Sequence, residues 1–349
     1  MQTIPSTIDD VSAVWLAEAT GLPITSITAS CIGDGIGVSS AVYRVTCSGP
    51  GCPASVVVKL PALDDAAVFT STMLRMYIRE VRFFDELAAA SPIRVPRGYH
   101  GAVDEETSKF VVVMEDLGAM RIVDQNVGMT LADAERCVQE LAAWHATWWG
   151  SAEPIAERGA AVSLADPIYP AVLPLVFGEG WDKLTNELSD IPSAIHSVAP
   201  GWSALMPRML TDLATTPTTL IHGDYRADNI LFDADGSVVL LDFQLTGVGS
   251  GAYDLAYFIT QSLDPSTAGD NEKALFDRYI AALVAAGVPE TETTRLWDDY
   301  RTAALFCLVY PVVASRGMDL HEPRQRALVD NMLTRFTRAV DDLALVDLL

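Results

Sequence analysis

A short segment in the C-terminal half of the chain combines residue types that can activate a hydroxyl group and bind a hard cation. The segment LIHGDYRADNILF (residues 220–232) contains Asp224 and Asn229, and the apolar run SVVLLD that follows ends at Asp242. Polar side chains next to apolar runs cost free energy unless partners or ligands satisfy them. These three residues are therefore the first candidates for chemistry.

The residues between Asn229 and Asp242 predict a β-hairpin. NILF and SVVLLD flank the tetrad DADG (233–236), which is a turn signal between two strand-like runs. A hairpin would bring the backbones of Asn229 and Asp242 to about 5 Å from each other. An amide oxygen and a carboxylate at that distance suit Mg²⁺. Asp224 would lie beside these two metal ligands without being one of them.

Two structural alternatives compete with a metal site. DADG resembles the centre of an EF-hand, but placing Gly236 at that motif's invariant glycine puts Leu231 at the first ligand position, which excludes a calcium loop. The other alternative is that each acid caps a turn, which is sufficient for Asp228, Asp233 and Asp235. It accounts less well for D-x4-N followed by a hairpin and an aspartate at the end of an apolar run.

Upstream, a strand lysine and a helical glutamate are predicted to pair. Lys59 ends the buried strand-like run VVVKL, and segment 71–90 has helical periodicity with Glu80 inside its apolar stripe. An inward-facing carboxylate needs a cationic partner, and Lys59 is the candidate. The alternative is two side chains snorkelling at the edge of the core. The same periodicity predicts a separate solvent-exposed face formed by Arg75, Arg79, Arg82 and Glu86.

The glycine segment GDGIGVSS (33–40) has two interpretations. Its alternate glycines match neither G-x-G-x-x-G nor the GK[ST] ending of a P-loop, and alone they could form only a flexible hairpin. With Lys59 downstream, a loop that covers phosphate groups is the better interpretation. It would contain Gly35, and Ser39 or Ser40 would donate hydrogen bonds.

Composition limits the class of protein and its partners. The chain has 349 residues, half of them hydrophobic, and a formal net charge of −23, which argues against nucleic acid or an anionic membrane as partner. The apolar run 303–314 is too short to span a bilayer. We also predict the cytoplasm as location, because the N-terminus has no signal-peptide pattern and the five cysteines include no CxxC pair.

The distribution of patterns along the chain predicts two unequal domains. Strand-like runs around one helix fill the first third, and helical periodicity dominates after Gly118. The shift near residues 115–121 predicts an N-terminal domain (1–116) and a C-terminal domain (117–349). The fold class is therefore α+β.

These motifs together resemble the catalytic core of protein-kinase-like small-molecule phosphotransferases, which include aminoglycoside phosphotransferases, choline kinases and ecdysteroid-kinase-like enzymes. His222-Gly223-Asp224 stands where protein kinases have HRD, and LLDFQ (240–244) followed by YDLAYF (253–258) is most similar to the ecdysteroid-kinase-like group. The resemblance implies a two-lobed kinase-like fold, with an N-terminal antiparallel sheet plus one helix and a mostly helical C-terminal lobe.

The resemblance also implies roles for individual residues, with ATP and Mg²⁺ as cofactors. Lys59 would bind the α/β-phosphates and Glu80 would orient it, while Asn229 and Asp242 would hold Mg²⁺. Asp224 would act on the acceptor hydroxyl. Backbone groups of Glu115 and Leu117, in VVVMEDLG (111–118), would meet adenine.

Three residues keep two interpretations each. Arg226, where protein kinases carry a lysine near the γ-phosphate, would either stabilise transferring charge or form a surface salt bridge. Asp254 would either brace the catalytic loop or cap the following helix. His145 shares an apolar helix face and is interpreted as a satisfied core histidine rather than a functional one.

The predicted activity is transfer of the γ-phosphoryl group of ATP, or of GTP, to a hydroxyl of a small molecule. Segments 164–181 and 306–317 are rich in apolar and aromatic residues and poor in acids, which favours a largely apolar acceptor over an aminoglycoside. An antibiotic phosphotransferase and a non-catalytic nucleotide-binding protein are the alternatives. A protein kinase is disfavoured, because only eleven residues separate Asp242 from Asp254 and no APE motif follows.

Overall fold

The N-terminal part of the chain is built on one antiparallel sheet. The computed structural model describes residues 3–32, 39–215 and 217–349. The sheet has the strand order β1-β2-β3-β5-β4, and each neighbouring pair is antiparallel. Its strands are β1 (Ser26–Ile32), β2 (Ser40–Ser48), β3 (Ser55–Pro61), β4 (Gly98–Asp104) and β5 (Lys109–Glu115). Alternate valines of β3 and β5 enter two small apolar clusters, one on each face of the sheet.

The helix predicted over 71–90 is interrupted, and its prediction as one element is wrong. After α1 (Ala13–Thr20), the chain forms α2 (Asp65–Met73) and α3 (Met76–Arg82), followed by a π-helical turn (Phe83–Leu87) and a 3₁₀ turn (Ala88–Ala90). The break lies at Arg75, whose φ of 54° is left-handed. No glycine or proline marks this position, so the sequence carries no stop signal there.

Arg79 does not belong to a solvent-exposed face, so that part of the prediction is also wrong. Its side chain is fully buried. The guanidinium donates to the Leu74 carbonyl (2.7 Å), which the break between α2 and α3 leaves without a helical partner, and to the Thr246 carbonyl (3.1 Å). Helix α3 is thereby joined to a segment of the C-terminal part.

The C-terminal part is mostly helical, as predicted. Thr130 caps its first long helix by accepting a hydrogen bond from the Asp133 amide (3.2 Å). The helices pack around a core that contains the buried indoles of Trp144 and Trp202. They are α4 (Leu131–Thr147), α5 (Glu153–Glu157), α6 (Ile168–Glu187), α7 (Ser193–Leu213), α8 (Ala252–Ser262), α9 (Pro265–Ala285), α10 (Leu296–Phe306), α11 (Val309–Arg316) and α12 (Pro323–Asp342).

Two small three-stranded sheets complete the fold. Their strands are β6 (Arg121–Ile122), β7 (Val162–Ser163), β8 (Thr219–Ile221), β9 (Ile230–Phe232), β10 (Val238–Leu240) and β11 (Gly247–Gly249). Strands β9 and β10 form the predicted hairpin, and β6 extends it; β7, β11 and β8 form the other sheet. The predicted α+β class, with an N-terminal antiparallel sheet and a mostly helical C-terminal part, is therefore confirmed, whereas the division at residue 116 stays a prediction.

None of the helices within the described ranges combines the length and the apolar character that crossing a membrane would need.

Candidate active site

The β9–β10 hairpin places Asn229 and Asp242 at its open end. Ile230 pairs with Leu240, and the Leu241 amide donates to the Asn229 carbonyl (2.9 Å). The backbones of Asn229 and Asp242 are therefore adjacent, as the turn signal predicts. Asp242 has a left-handed φ of 63°, an uncommon conformation that aspartate and asparagine adopt more readily than most residues.

Asp224 is held beside this pair through its carboxylate. The Asn229 side-chain amide donates to the Asp224 Oδ2 (2.7 Å) and to the Asp224 carbonyl (2.9 Å). Arg226 Nε donates to the other carboxylate oxygen (3.2 Å), and its Nη1 lies 2.5 Å from Asp228 Oδ2. Burial raises the pKa of Asp224, although Arg226 opposes the shift. Arg226 therefore forms a partly buried ion pair, and Asp228 does more than cap a turn.

Asp254 braces the loop that carries Asp224. Its carboxylate is buried and accepts from the amides of His222 (2.6 Å) and Gly223 (2.8 Å). His145, also buried, contacts Asp254 through Nε2 (3.1 Å) and the Tyr279 hydroxyl through Nδ1 (2.7 Å). His145 is thus a satisfied core histidine, as predicted, and it supports the brace.

The backbone conformation of Gly223 and the hydrogen bonds of His222 account for these two residue types in the HGD motif. Gly223 has a φ of 83°, and a Cβ added there would lie 2.1 Å from the Leu245 carbonyl oxygen, so no side chain fits. His222 Nδ1 accepts from the Asp224 amide (3.2 Å), and its Nε2 therefore donates to the Leu241 carbonyl (2.9 Å). The loop is joined in this way to the chain entering Asp242.

Lys59, Glu80 and Asp242 form a charge cluster in which Lys59 and Glu80 are buried and the Asp242 side chain is 31% exposed. Lys59 Nζ lies 2.6 Å from Glu80 Oε1 and 3.4 Å from Asp242 Oδ1. The predicted contact between Lys59 and Glu80 is present, and side-chain exposures of 6% and 0% exclude snorkelling. Burial is the largest single influence and opposes ionisation of Asp242, but Lys59 and the other neighbouring groups, which include the Gln244 backbone amide, together outweigh it and lower the pKa of Asp242. Burial raises the pKa of Glu80 to about 7.

The glycine segment is described only at its C-terminal end. Gly35 lies outside the described residues, so its predicted role is untested. Ser39 Oγ donates to Gln244 Oε1 (2.5 Å), and Gln244 Nε2 donates to Ser40 Oγ (2.5 Å). Both hydroxyls are therefore engaged by one glutamine.

The predicted adenine contacts lie where β5 leaves the large sheet. The Glu115 amide donates to the Arg97 carbonyl (2.8 Å), and the Leu117 carbonyl accepts from Met120 (2.9 Å). The Glu115 carbonyl and the Leu117 amide remain as candidates for a nucleotide base. Leu117 packs with Leu231 and Val239 of the hairpin, which provides an apolar surface next to those groups.

The comparisons with known proteins agree with this geometry. A model of the phosphotransferase enzyme family matches residues 31–301, a span that includes Lys59, Glu80, Asp224, Asn229 and Asp242. The chain belongs to this family. A comparison with functionally curated proteins found no match, so the assignment to the ecdysteroid-kinase-like group stays a prediction.

Solved structures with the same fold include three that are named for different substrates. Choline kinase from Cryptosporidium parvum has a TM-score of 0.56 and 12% identity, with 90% of this chain and 88% of that chain covered. Macrolide 2′-phosphotransferase type I has a TM-score of 0.51 and 17% identity, covering 95% and 98%. The GDP complex of aminoglycoside 2′-phosphotransferase-IIIa has a TM-score of 0.54 and 14% identity, covering 95% and 98%. At these identities the likeness establishes the fold.

The donor set of this phosphotransferase fits a magnesium ion that is shared with a ligand. In the ranges 3–32, 39–215 and 217–349, no three His, Cys, Asp or Glu side chains converge as a metal site. Because Asp224 engages the Asn229 amide nitrogen, the amide oxygen is left for a cation, and Asp242 adds a carboxylate. Mg²⁺ is commonly held by one or two protein oxygens together with phosphates and water.

Two residues near the site were missed by sequence reasoning. Arg79 contacts Thr246, and Gln244 contacts Ser39 and Ser40, across separations of 167 and about 200 residues. Gln244 directly follows Asp242 and Phe243 in LLDFQ, and a polar residue at the end of this apolar run was the available signal. For Arg79 the local pattern pointed to the wrong environment.

The raised pKa of Glu80 predicts a pH-dependent stability. Because its pKa is 4.5 ordinarily and about 7 in the folded chain, Glu80 contributes stability below pH 4.5 that is lost as pH rises through 7. In metal-free buffer, the melting temperature of Glu80→Gln minus that of the wild type should increase by roughly 5 °C between pH 5 and pH 8. Glu86→Gln, at a half-exposed carboxylate paired with Arg158, is the matched control. A difference that decreases with pH would contradict the prediction.

Proposed function

We propose that this phosphotransferase moves the γ-phosphoryl group of ATP, or of GTP, to a hydroxyl of a small molecule. The observation that carries the proposal is one continuous set of contacts: Glu80 to Lys59, Lys59 to Asp242, and, across the hairpin end, Asn229 to Asp224. These groups supply a phosphate-binding cation, oxygen ligands for Mg²⁺ and a base. Phosphoryl transfer requires mainly such positioning and charge neutralisation.

Each residue has a distinct part in the proposed reaction. Asp224 accepts the proton of the acceptor hydroxyl, and its raised pKa brings it closer to neutral pH. Arg226, which contacts Asp224, would stabilise negative charge on the transferring group. Lys59 orients the nucleotide phosphates. Mg²⁺, when bound by Asn229 and Asp242, would neutralise phosphate charge. The proposed division gives nucleotide binding to residues 1–116 and acceptor binding to residues 117–349.

The surroundings of Asp224 favour an apolar acceptor with a ring. The half-buried Tyr310 donates to the Gly223 carbonyl (2.8 Å), and its ring stacks on Tyr257 at 3.7 Å. Tyr253 lies 2.5 Å from the Tyr310 hydroxyl. Burial raises the pKa of all three phenols, so they are neutral at physiological pH. Tyr253 and Tyr257 are buried and Tyr310 is partly exposed, so the Tyr310 ring is the aromatic surface that we assign to the acceptor beside the proposed base.

The acids of the candidate acceptor segments are engaged elsewhere. Asp166 lies 3.7 Å from Arg75, and Glu179 lies 2.5 Å from Arg316. An aminoglycoside carries several ammonium groups, and each would require a carboxylate on burial. This is why we place an apolar alcohol, polyketide or sterol-like molecule ahead of an aminoglycoside as acceptor.

A phosphorylation screen tests the proposal. Radiolabelled ATP or GTP is supplied with apolar ring alcohols, macrolides, choline and aminoglycosides, and products are identified by mass spectrometry. Tyr310→Ala should raise the acceptor KM about tenfold or more, because it removes a large aromatic contact surface, while leaving the nucleotide KM unchanged. Tyr99→Ala, in β4, is the control tyrosine. Turnover of aminoglycosides alone would overturn the acceptor proposal, and nucleotide binding without turnover of any acceptor would favour a binding protein.

A further inference from the structure

Gln244 connects two parts of the molecule that are far apart in sequence. It lies two residues after Asp242, and its side chain is 1% exposed. Its carbonyl oxygen accepts from the Ser39 hydroxyl, and its amide nitrogen donates to the Ser40 hydroxyl, both at 2.5 Å. A buried primary amide is costly unless both ends are satisfied. Here the two serines at the end of the glycine segment satisfy both ends.

The same end of the glycine segment is also held from helix α3. The Tyr77 hydroxyl donates to the Ser39 carbonyl (3.0 Å) and accepts from the Ala62 amide (3.1 Å). Ser40 pairs with Pro61 at the edge of the β2–β3 ladder. The backbone at Ser39 and Ser40 is therefore fixed by β3 and α3, and Gln244 fixes the side chains.

Residues 242–244 act as one unit that contacts three nucleotide-side elements. Asp242 contacts Lys59 in β3 (3.4 Å), and Phe243 stacks on Phe83 in the π-helical turn after α3, with ring centroids 3.5 Å apart. Gln244 contacts the end of the glycine segment through Ser39 and Ser40. Three successive side chains thus couple the proposed metal ligand to the strand, the helix and the loop of the N-terminal part.

We propose that Gln244 is a positioning residue that fixes the end of the glycine segment relative to Asp242 and thereby sets the affinity for the nucleotide. The inference rests on the proposed function, because it assumes that phosphates bind between the glycine segment and Asp242. Gln244 acts through Ser39 and Ser40. Its loss should therefore affect nucleotide binding more than the chemical step.

The test combines Gln244→Met, which preserves side-chain volume and removes both hydrogen bonds, with Ser39→Ala/Ser40→Ala and the combination of all three substitutions. Calorimetric titration with Mg·ATP should show an affinity about tenfold to thirtyfold weaker for Gln244→Met. The combined variant should be no weaker than Gln244→Met, because the hydrogen bonds are shared. Under saturating ATP, kcat should change less than about threefold while KM for ATP follows the affinity.

Gln125→Ala is the control, because Gln125 is 2% exposed and its side-chain amide donates to the Gln261 carbonyl (2.5 Å) and not to the glycine segment. It should lower the melting temperature and leave KM for ATP unchanged. Unchanged affinity in Gln244→Met, or additive losses in the combined variant, would overturn this inference alone. A wild-type chain that binds no nucleotide would overturn the proposed function and the inference with it. If Gln244→Met does not fold, Ser39→Ala/Ser40→Ala should reproduce its loss of affinity, and an unchanged affinity there would also overturn the inference.

Discussion

Replacing Asp224 with asparagine should reduce kcat by roughly 10²–10⁴-fold, the range typical for loss of a general base. Asparagine retains an oxygen that can accept from Asn229 Nδ2, so the contact that holds Asn229 (2.7 Å) can persist. What disappears is the carboxylate that takes the acceptor proton. Affinity for Mg·ATP should therefore stay within about threefold of the wild type. Calorimetric titration and steady-state kinetics on one preparation measure both quantities.

Asp235→Asn is the control for this substitution. Asp235 lies in the exposed turn of the same hairpin, and its carboxylate accepts from the Ser237 amide (2.9 Å). The variant tests whether loss of a nearby negative charge alone affects turnover, and its kcat should equal that of the wild type. A kcat for Asp224→Asn within a few fold of the wild type would remove Asp224 from the proposed role.

The parts of the site that were predictable from sequence have local signals. The DADG turn fixes which residues of β9 and β10 oppose each other, and the ends of a hairpin then follow from strand geometry. The contact between Lys59 and Glu80 was predictable for a different reason. A carboxylate that faces the core is costly without a cation, and Lys59 is the cation at the end of a buried strand-like run upstream of Glu80.

The failures come from tertiary contacts that override local pattern. Segment 71–90 has continuous helical periodicity, yet the helix is interrupted at Arg75, where the sequence has no glycine or proline. Arg79 occupies a position that periodicity assigns to solvent, but Tyr169 of α6 (3.4 Å) and Thr246 (3.1 Å) cover it from the C-terminal part. A contact over 90 or 167 residues has no periodic signature.

The proposed magnesium site predicts that substitutions of Asp224 and Asp242 have different effects on nucleotide binding, although the two residues lie close together. Replacing Asp242 with asparagine should nearly abolish turnover and also weaken nucleotide binding. Of the two proposed metal ligands, Asp242 supplies a carboxylate and Asn229 only a neutral oxygen. Asparagine tolerates the left-handed φ of 63° at this position. The backbone should therefore persist, and the loss can be assigned to charge.

The informative measurement is the difference in ATP affinity with Mg²⁺ and with EDTA. For wild type and for Asp224→Asn, Mg²⁺ should strengthen ATP binding by the same factor, whereas for Asp242→Asn that factor should fall by at least about tenfold. Removing Asp242 also leaves Lys59 with Glu80 alone, and since the Asp242 charge contributes to the raised pKa of Glu80, the pH dependence of stability should weaken in the same variant. If both variants lost Mg²⁺-dependent affinity equally, the two aspartates would share one function, and the assignment of Asp224 to the acceptor and Asp242 to the metal would be wrong.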